Sequence, residues 1–171
     1  NATALMVSDG SSRNSRLVWD KKGQRLAYQS TRRNGRSNDI WMMDISQPES
    51  AQPVLEAEND HWWAPVDFTA DGKSLLVQQM LGATDSRIYL LDLATGEKRL
   101  LSGSAEYPSA NRAATIDADD QGYYFISNSS GLAAELAWQS FVPNSVAEFI
   151  TTSIAWDVIE FALSDDGKRG A

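Results

Sequence analysis

VWDKKGQRLAYQS (residues 18–30) returns as VDFTADGKSLLVQQ (66–79) and again as ATIDADDQGYYFIS (114–127), with 48 residues from start to start each time. A period of this length is the mark of a repeat architecture, and its reading decides the fold. Glycine marks the phase: Gly23, Gly72, Gly122 and Gly167 stand 49, 50 and 45 residues apart, each behind Asp or Lys. Before each lies a short extended segment: RLVWD, PVDFT, AATID and IEFAL. After the first three comes an apolar or aromatic one: RLAYQ, SLLVQ and YYFIS. Each pair reads as a hairpin in which Asp bonds its own backbone and Gly accepts positive φ.

The phase extends further along the chain. DIWMMDI (39–45) recurs as RIYLLDL (87–93), which supplies a third strand ending on Asp44 and Asp92. A fourth is predicted at PVLEA (53–57), RLLSG (99–103) and EFITT (148–152), with TALMV (3–7) preceding the series. LATGEKR (93–99) is a further tight turn, with Gly96 as its positive-φ residue. GLAAELAWQSF (131–141) has the propensity for two turns of helix, but it falls where the third strand of its unit belongs and is read as a strand or a decorated loop.

Repeated units of four short antiparallel strands predict an all-β fold, a β-propeller, in which each blade packs its apolar faces on the blades to either side. The expected blades are roughly 16–57, 64–103 and 112–152, with a leading strand and a trailing strand and turn, so that residues 1–171 form a partial propeller. A ring closes with about four to eight blades, so the expectation is an arc of something larger. Asn1-Ala2 reads equally as the remnant of a cleaved tag or as natural sequence. A β-sandwich is the structural rival, but its strands need no fixed phase.

Composition limits the function classes. The 171 residues are 42% apolar, enough for a core, and no apolar run reaches the roughly 18 residues of a membrane helix. Fifteen basic against 23 acidic residues give a net charge of −8, which argues against nucleic acid or an acidic membrane surface as partner. A peptide, a protein or another domain is the expected partner. There is no cysteine, hence no disulfide, no thiolate metal ligand and no redox clue to compartment; bacterial periplasm and cytoplasm both stay open.

VWDKKGQRLAYQSTRRNGRSNDIWMMDI and SRIYLLDLATGEKRLL resemble the WD40-like, TolB-type propeller repeat. SDGSSRNSRLVWD, WWAPVDFTADGKSLLV and IAWDVIEFALSDDGKR are similar, more particularly, to the N-terminal propeller of the prolyl oligopeptidase (S9) family of serine peptidases, in a bacterial branch. The third repeat departs from the pattern, with an extra residue in DADDQG and SNSSGLAAELAWQSF in place of the usual third strand. The resemblance implies a propeller joined to a C-terminal α/β-hydrolase domain whose Ser, Asp and His cut peptides between the two. It also implies that the propeller caps the active site and selects short or unfolded peptides. That catalytic domain is expected to be absent from this chain. Gly-x-Ser-x-Gly does not occur; SGSAE (102–106) lacks its glycines, and His61 is the sole histidine.

No catalytic, cofactor or metal residue is therefore expected. DADD (117–120) and NDH (59–61) lack calcium-loop spacing and read as solvated turns. NSS (128–130) has the form of a glycosylation sequon, which has meaning only in a eukaryotic secretory route. The candidate contacts for a peptide or a neighbouring domain are Arg32, Arg33 and Arg36, whose guanidinium groups suit carboxylates, and the pair Trp62 and Trp63. The bland readings are an exposed hairpin loop for the arginines and packing between blades for the tryptophans. The alternative function is a TolB-like propeller that binds a protein with no hydrolase attached. An enzyme with its site in the central channel is a third reading, and it would need an inward cluster of His and acids that the sequence does not supply.

Overall fold

The computed structural model describes residues 7–58, 61–131, 133–164, 167 and 169–171. Among them there is no helix, and twelve strands form three four-stranded antiparallel sheets. The first sheet holds β1 (Asn14–Trp19), β2 (Arg25–Ser30), β3 (Asp39–Asp44) and β4 (Gln47–Leu55). The second holds β5 (Trp62–Phe68), β6 (Ser74–Gly82), β7 (Asp85–Asp92) and β8 (Lys98–Ser102). The third holds β9 (Asn111–Ile116), β10 (Gly122–Ser127), β11 (Glu135–Ser140) and β12 (Glu148–Phe149). In each sheet the strands lie in chain order, as a meander of hairpins.

Alternation along the strands distributes the core. From β6, Leu75 and Val77 join Ala27, Ile40 and Leu55 of the first sheet, while Leu76 faces Ile116, Tyr123 and Phe125 of the third. β7 divides in the same way, sending Leu91 to one side and Ile88 to the other. Each inner strand of the middle sheet is thus apolar on both faces, which suits a blade covered on two sides and not the surface sheet of a sandwich. β1, β5 and β9, the first strands of the three sheets, converge along a common axis, and β4, β8 and β12 lie at the periphery. The outer edge β4 carries Pro48 and Pro53, which cannot donate to a further strand and so blunt that edge.

Polar side chains tie sheet to sheet in the same phase as the repeat. Gln29 Nε2 donates to the Trp63 carbonyl, and Gln78, 49 residues on, donates to the Asn111 carbonyl. Asp67 accepts from Lys21 Nζ at 2.8 Å, from the Ile116 amide at 3.1 Å and from Thr115 Oγ1 at 3.3 Å, and so joins all three sheets. Ser102 at the end of β8 shares a buried network with Tyr123 and Gln139 of the third sheet, and burial pushes the Tyr123 phenol up.

The first-hairpin turns follow the expected chemistry with one correction. Gly23 (φ 66°) and Gly72 (φ 68°) occupy the left-handed position, but in the third unit that position belongs to Asp120 (φ 58°), not Gly122. Asp tolerates this conformation better than most residues, and it absorbs the extra residue of DADDQG. Gly122 is needed for a different reason: a Cβ there would stand 2.8 Å from the Trp138 ring and closer still to the Gln139 carbonyl. The stretch read as strand or decorated loop contains β11, paired in register with β10 from Gly122↔Ser140 to Ser127↔Glu135. TALMV lies outside the described residues except for Val7, which packs on the outer face of the first sheet. At the other end, Ala162 and Ala171 exchange backbone hydrogen bonds, and Leu163 bridges Gly170 in a short hairpin stub.

The turn carboxylates couple this architecture to pH. Burial opposes ionisation of Asp20, but the amides of Gln24 and Arg25 and the Arg25 guanidinium outweigh it and hold its pKa below the usual 3.8. Asp44 is lowered by the Ser46 hydroxyl and amide, Asp71 by the Lys73 amide and the Thr69 hydroxyl, and Asp92 by the amides of Thr95 and Ala94. The Ser12 hydroxyl and amide lower Asp9 to about 2. With folded-state values below unfolded ones, the unfolded chain binds more protons, so this stability is present above pH ~4 and is lost as pH falls. Urea midpoints should therefore hold above pH ~5 and drop steadily from pH ~4 toward ~2, with a shallower drop in Asp20→Asn.

Candidate functional site

The two ends of the arc differ in construction. One end carries the tight turns at 20–24, 69–73 and 117–121, where the amides bond back to Asp20, Asp71 and Asp117. The other carries the loop 31–38, residues 56–58 and 61, the connection 103–110, and the hairpin tip between β6 and β7. Lys21, Lys22 and Lys73 sit on the tight turns. Arg13, Arg16, Arg32, Arg33, Arg36, Arg87 and Arg112 all lie toward the loop end, in a chain whose net charge is −8. Arginine is the cation that recognises carboxylates by a two-pronged hydrogen bond, so the loop end is the face suited to an acidic or carboxylate-bearing partner.

The expected contact residues have distinct positions there. Arg33 Nε and Nη2 grip the two Asp39 oxygens at 2.8 and 2.9 Å, and Nη2 also reaches the Ala57 carbonyl. Asp39, fully buried, in turn accepts the Ala57 amide at 2.8 Å, so this arginine clamps loop 31–38 to the start of the next connection. Arg32 stacks over the Trp41 ring at 5.2 Å and lies 3.6 Å from Asp9. Arg36 is exposed, and its amide is held by the Asn34 side chain in a turn that uses Gly35 at φ 77°. Trp62 and Trp63, neighbours on β5, point to opposite faces. Trp63 is buried between the first two sheets, 5.2 Å from Tyr89, with Lys98 Nζ over its ring. Trp62 is half-buried on the axial side under the Arg16 guanidinium at 5.4 Å.

The axial groove is built from irregular backbone. Register shifts interrupt β1 between Ser15 and Val18, β5 between Pro65 and Asp67, and β9 opposite Tyr124 and Ile126. Arg16 and Ala113 take φ of 52° and 51° at these bulges, a conformation costing about 1 kcal/mol or more in a residue with a Cβ. Together with Pro65 and Gln78 they line a groove of about 250 Å³. A second crevice, of about 210 Å³, opens between Glu56, Glu58 and His61 and the second sheet, where Arg87 and Lys98 meet Trp63 and Tyr89. Sequence reading missed Arg16, Arg87 and Lys98 because each stands in a strand or turn segment, where the repeat explains the neighbours and says nothing of a charged side chain.

His61 has no serine partner among the described residues: its Nδ1 faces Gln79 Nε2 at 3.1 Å, and its amide donates to the Glu58 carbonyl. Also among the described residues, no group of three or more His, Asp or Glu is placed to hold a metal ion. What the geometry offers is shape, arginine and aromatic surface at one end of a blade array.

Three radially arranged four-stranded sheets with their first strands on a common axis define a β-propeller arc. Residues 8–141 match the sequence model described as prolyl oligopeptidase, N-terminal beta-propeller domain, and the chain belongs to that family. No curated protein matches the chain. Among solved structures it is similar to TolB from Acinetobacter baumannii, with a TM-score of 0.74 and 21% identity over 94% of this chain and 37% of that one. It is also similar to prolyl oligopeptidase B from Galerina marginata, solved with a 35mer hydrolysis and macrocyclization substrate, with a TM-score of 0.60 and 13% identity over 81% and 20% of the two chains. The chain thus spans a little over a third of the one and a fifth of the other.

The Arg33 clamp gives a direct test of the loop's construction. Arg33→Gln leaves the buried Asp39 carboxylate without its cation and should cost about 3 kcal/mol in urea unfolding. Arg32→Gln, at an exposed ion pair, should cost less than about 1 kcal/mol.

Proposed function

We propose that this chain is the non-catalytic propeller portion of a prolyl oligopeptidase-type (S9) serine peptidase and acts as its substrate-selecting cap. The observation that carries the reading is the family match over residues 8–141, joined to a loop face rich in arginine and bearing a half-buried tryptophan. In this reading the partner is a C-terminal α/β-hydrolase domain of the same protein, which supplies Ser, His and Asp. The substrates are short or unfolded peptides. The propeller holds no reacting group; it restricts entry and excludes water while the hydrolase does the chemistry. Blades 16–57, 64–103 and 112–152 are its structural units, and the loop-end residues Arg32, Arg36 and Trp62 are the contacts offered to peptide or hydrolase. Arg33 and Trp63 support that face from beneath.

A second reading is favoured by one observation, the higher TM-score with TolB. There the arc belongs to a propeller that binds a protein partner and has no hydrolase. The two differ in what the full-length protein does. In the first reading it hydrolyses short aminoacyl or dipeptidyl chromogenic peptides and is blocked by a serine-directed inhibitor, while the 171-residue chain is inert under the same assay. A full-length protein with no hydrolysis across such a panel and no Gly-x-Ser-x-Gly segment would overturn it in favour of the binding scaffold.

A further inference from the structure

The crevice beside the second sheet contains a cation, Arg87, that pairs with neither of the two acids lining it. Arg87 Nε is buried and has no hydrogen-bond partner, and among the described residues no carboxylate lies within ion-pair distance of its guanidinium. The residue as a whole is half-buried, so its terminal guanidinium nitrogens face the crevice while Nε is covered. The placement is built. Gly103, at φ 97°, lies against the arginine stem, and a Cβ there would meet Arg87 Cγ at 2.9 Å and the Ser86 carbonyl at 2.8 Å. Only a residue without a side chain lets the stem run along this wall.

The surroundings define what would fit. Lys98 Nζ stands over the Trp63 ring at 5.2 Å, a second cation on the same crevice. Tyr89 Oη donates to Gln79 Oε1 at 3.1 Å, and Gln79 turns its Nε2 to His61 Nδ1 at 3.1 Å, which places the imidazole on the same crevice. The acids on the rim leave Arg87 unpaired: Glu56 lies 3.7 Å from Arg33, and Glu58 is exposed to water. Trp63 and Tyr89 supply an aromatic wall beside the two cations.

We propose that this crevice is a binding site for a small organic carboxylate carried on an apolar or aromatic group, with the carboxylate on Arg87 and Lys98 and the apolar part against Trp63 and Tyr89. A guanidinium takes a carboxylate through two of its N–H groups together, which fixes the orientation of the ligand. The volume, about 210 Å³, suits a single residue-sized group, such as the C-terminal residue of a peptide or a free aromatic acid. The site lies on one side of the second sheet, beside the connection that enters it, and is independent of whether a hydrolase follows.

The test is titration of the 171-residue chain with N-acetylphenylalanine and, separately, with its uncharged amide and with inorganic phosphate. Binding is followed by the His61 ring resonances and by tryptophan fluorescence. The acid should saturate both signals while the amide does not, and Arg87→Gln should weaken the acid by at least about tenfold with its near-UV circular dichroism unchanged. If Arg87→Gln fails to fold, Arg87→Lys keeps the charge and removes the fork, and it should still weaken the acid while leaving the fold intact. Equal responses to acid and amide, an Arg87 variant that folds and binds as the parent does, or no saturation by about 10 mM would overturn the proposal. Tighter binding of phosphate than of the acid would overturn the assignment to a carboxylate. N-acetylphenylalanine and the C-terminal residue of a dipeptide share the same chemistry; a dipeptide that competes with the acid, while its C-terminal amide does not, assigns the source to peptide.

Discussion

Everything in this arc depends on the middle sheet having no free face. Leu75, Val77 and Leu91 on one side and Leu76 and Ile88 on the other are all withdrawn from water, and each set is covered by a different neighbour. A sheet of this kind cannot be stable by itself, because burying a large aliphatic side chain is worth about 1.5–3 kcal/mol and each set loses that gain without its own neighbour. The repeat in the sequence is therefore a statement about packing. A unit apolar on both faces must be copied beside itself until the faces are covered, and the loops are left free at the two ends of the axis.

Polar contacts fix the angle at which the copies meet. The two glutamine clamps, Gln29 on the Trp63 carbonyl and Gln78 on the Asn111 carbonyl, recur in phase and join each second strand to the first strand of the next sheet. Asp67 does the same work at the other end of the axis, where one carboxylate satisfies groups from both flanking sheets. Such bonds are directional where apolar contact is not, so they specify one arrangement of blades. The loop face is held by equally specific means, with Asp39 and Arg33 anchoring loop 31–38 to the following connection. The loop face is thereby fixed in shape.

The fold was legible because its two signals, turn chemistry and strand alternation, are local. Gly23, Gly72 and Gly96 take the positive φ assigned to them, and the DIWMMDI and RIYLLDL segments are the third strands. The third unit was harder for a physical reason: Asp120 fills the left-handed position, so the glycine marker slipped to Gly122, whose requirement is close approach and not backbone handedness. The site was legible only in part. Loop arginines stand out in an acidic sequence, but whether one is a clamp or a contact depends on a partner 6 residues away in one case, Asp39, and on a crevice formed by the second sheet and the connection before it in another, Arg87. Distances of that kind are set by tertiary packing, which the repeat alone does not encode.

Packing on both faces of the middle sheet requires that the blades behave as one unit, and native-state hydrogen exchange measures this directly. The account predicts that amides of β6 and β7 exchange only through an opening about as costly as global unfolding, with β12 and the outer edge β4 exchanging faster. Three sheets that exchange as separate units, with β6 no better protected than β12, would contradict it.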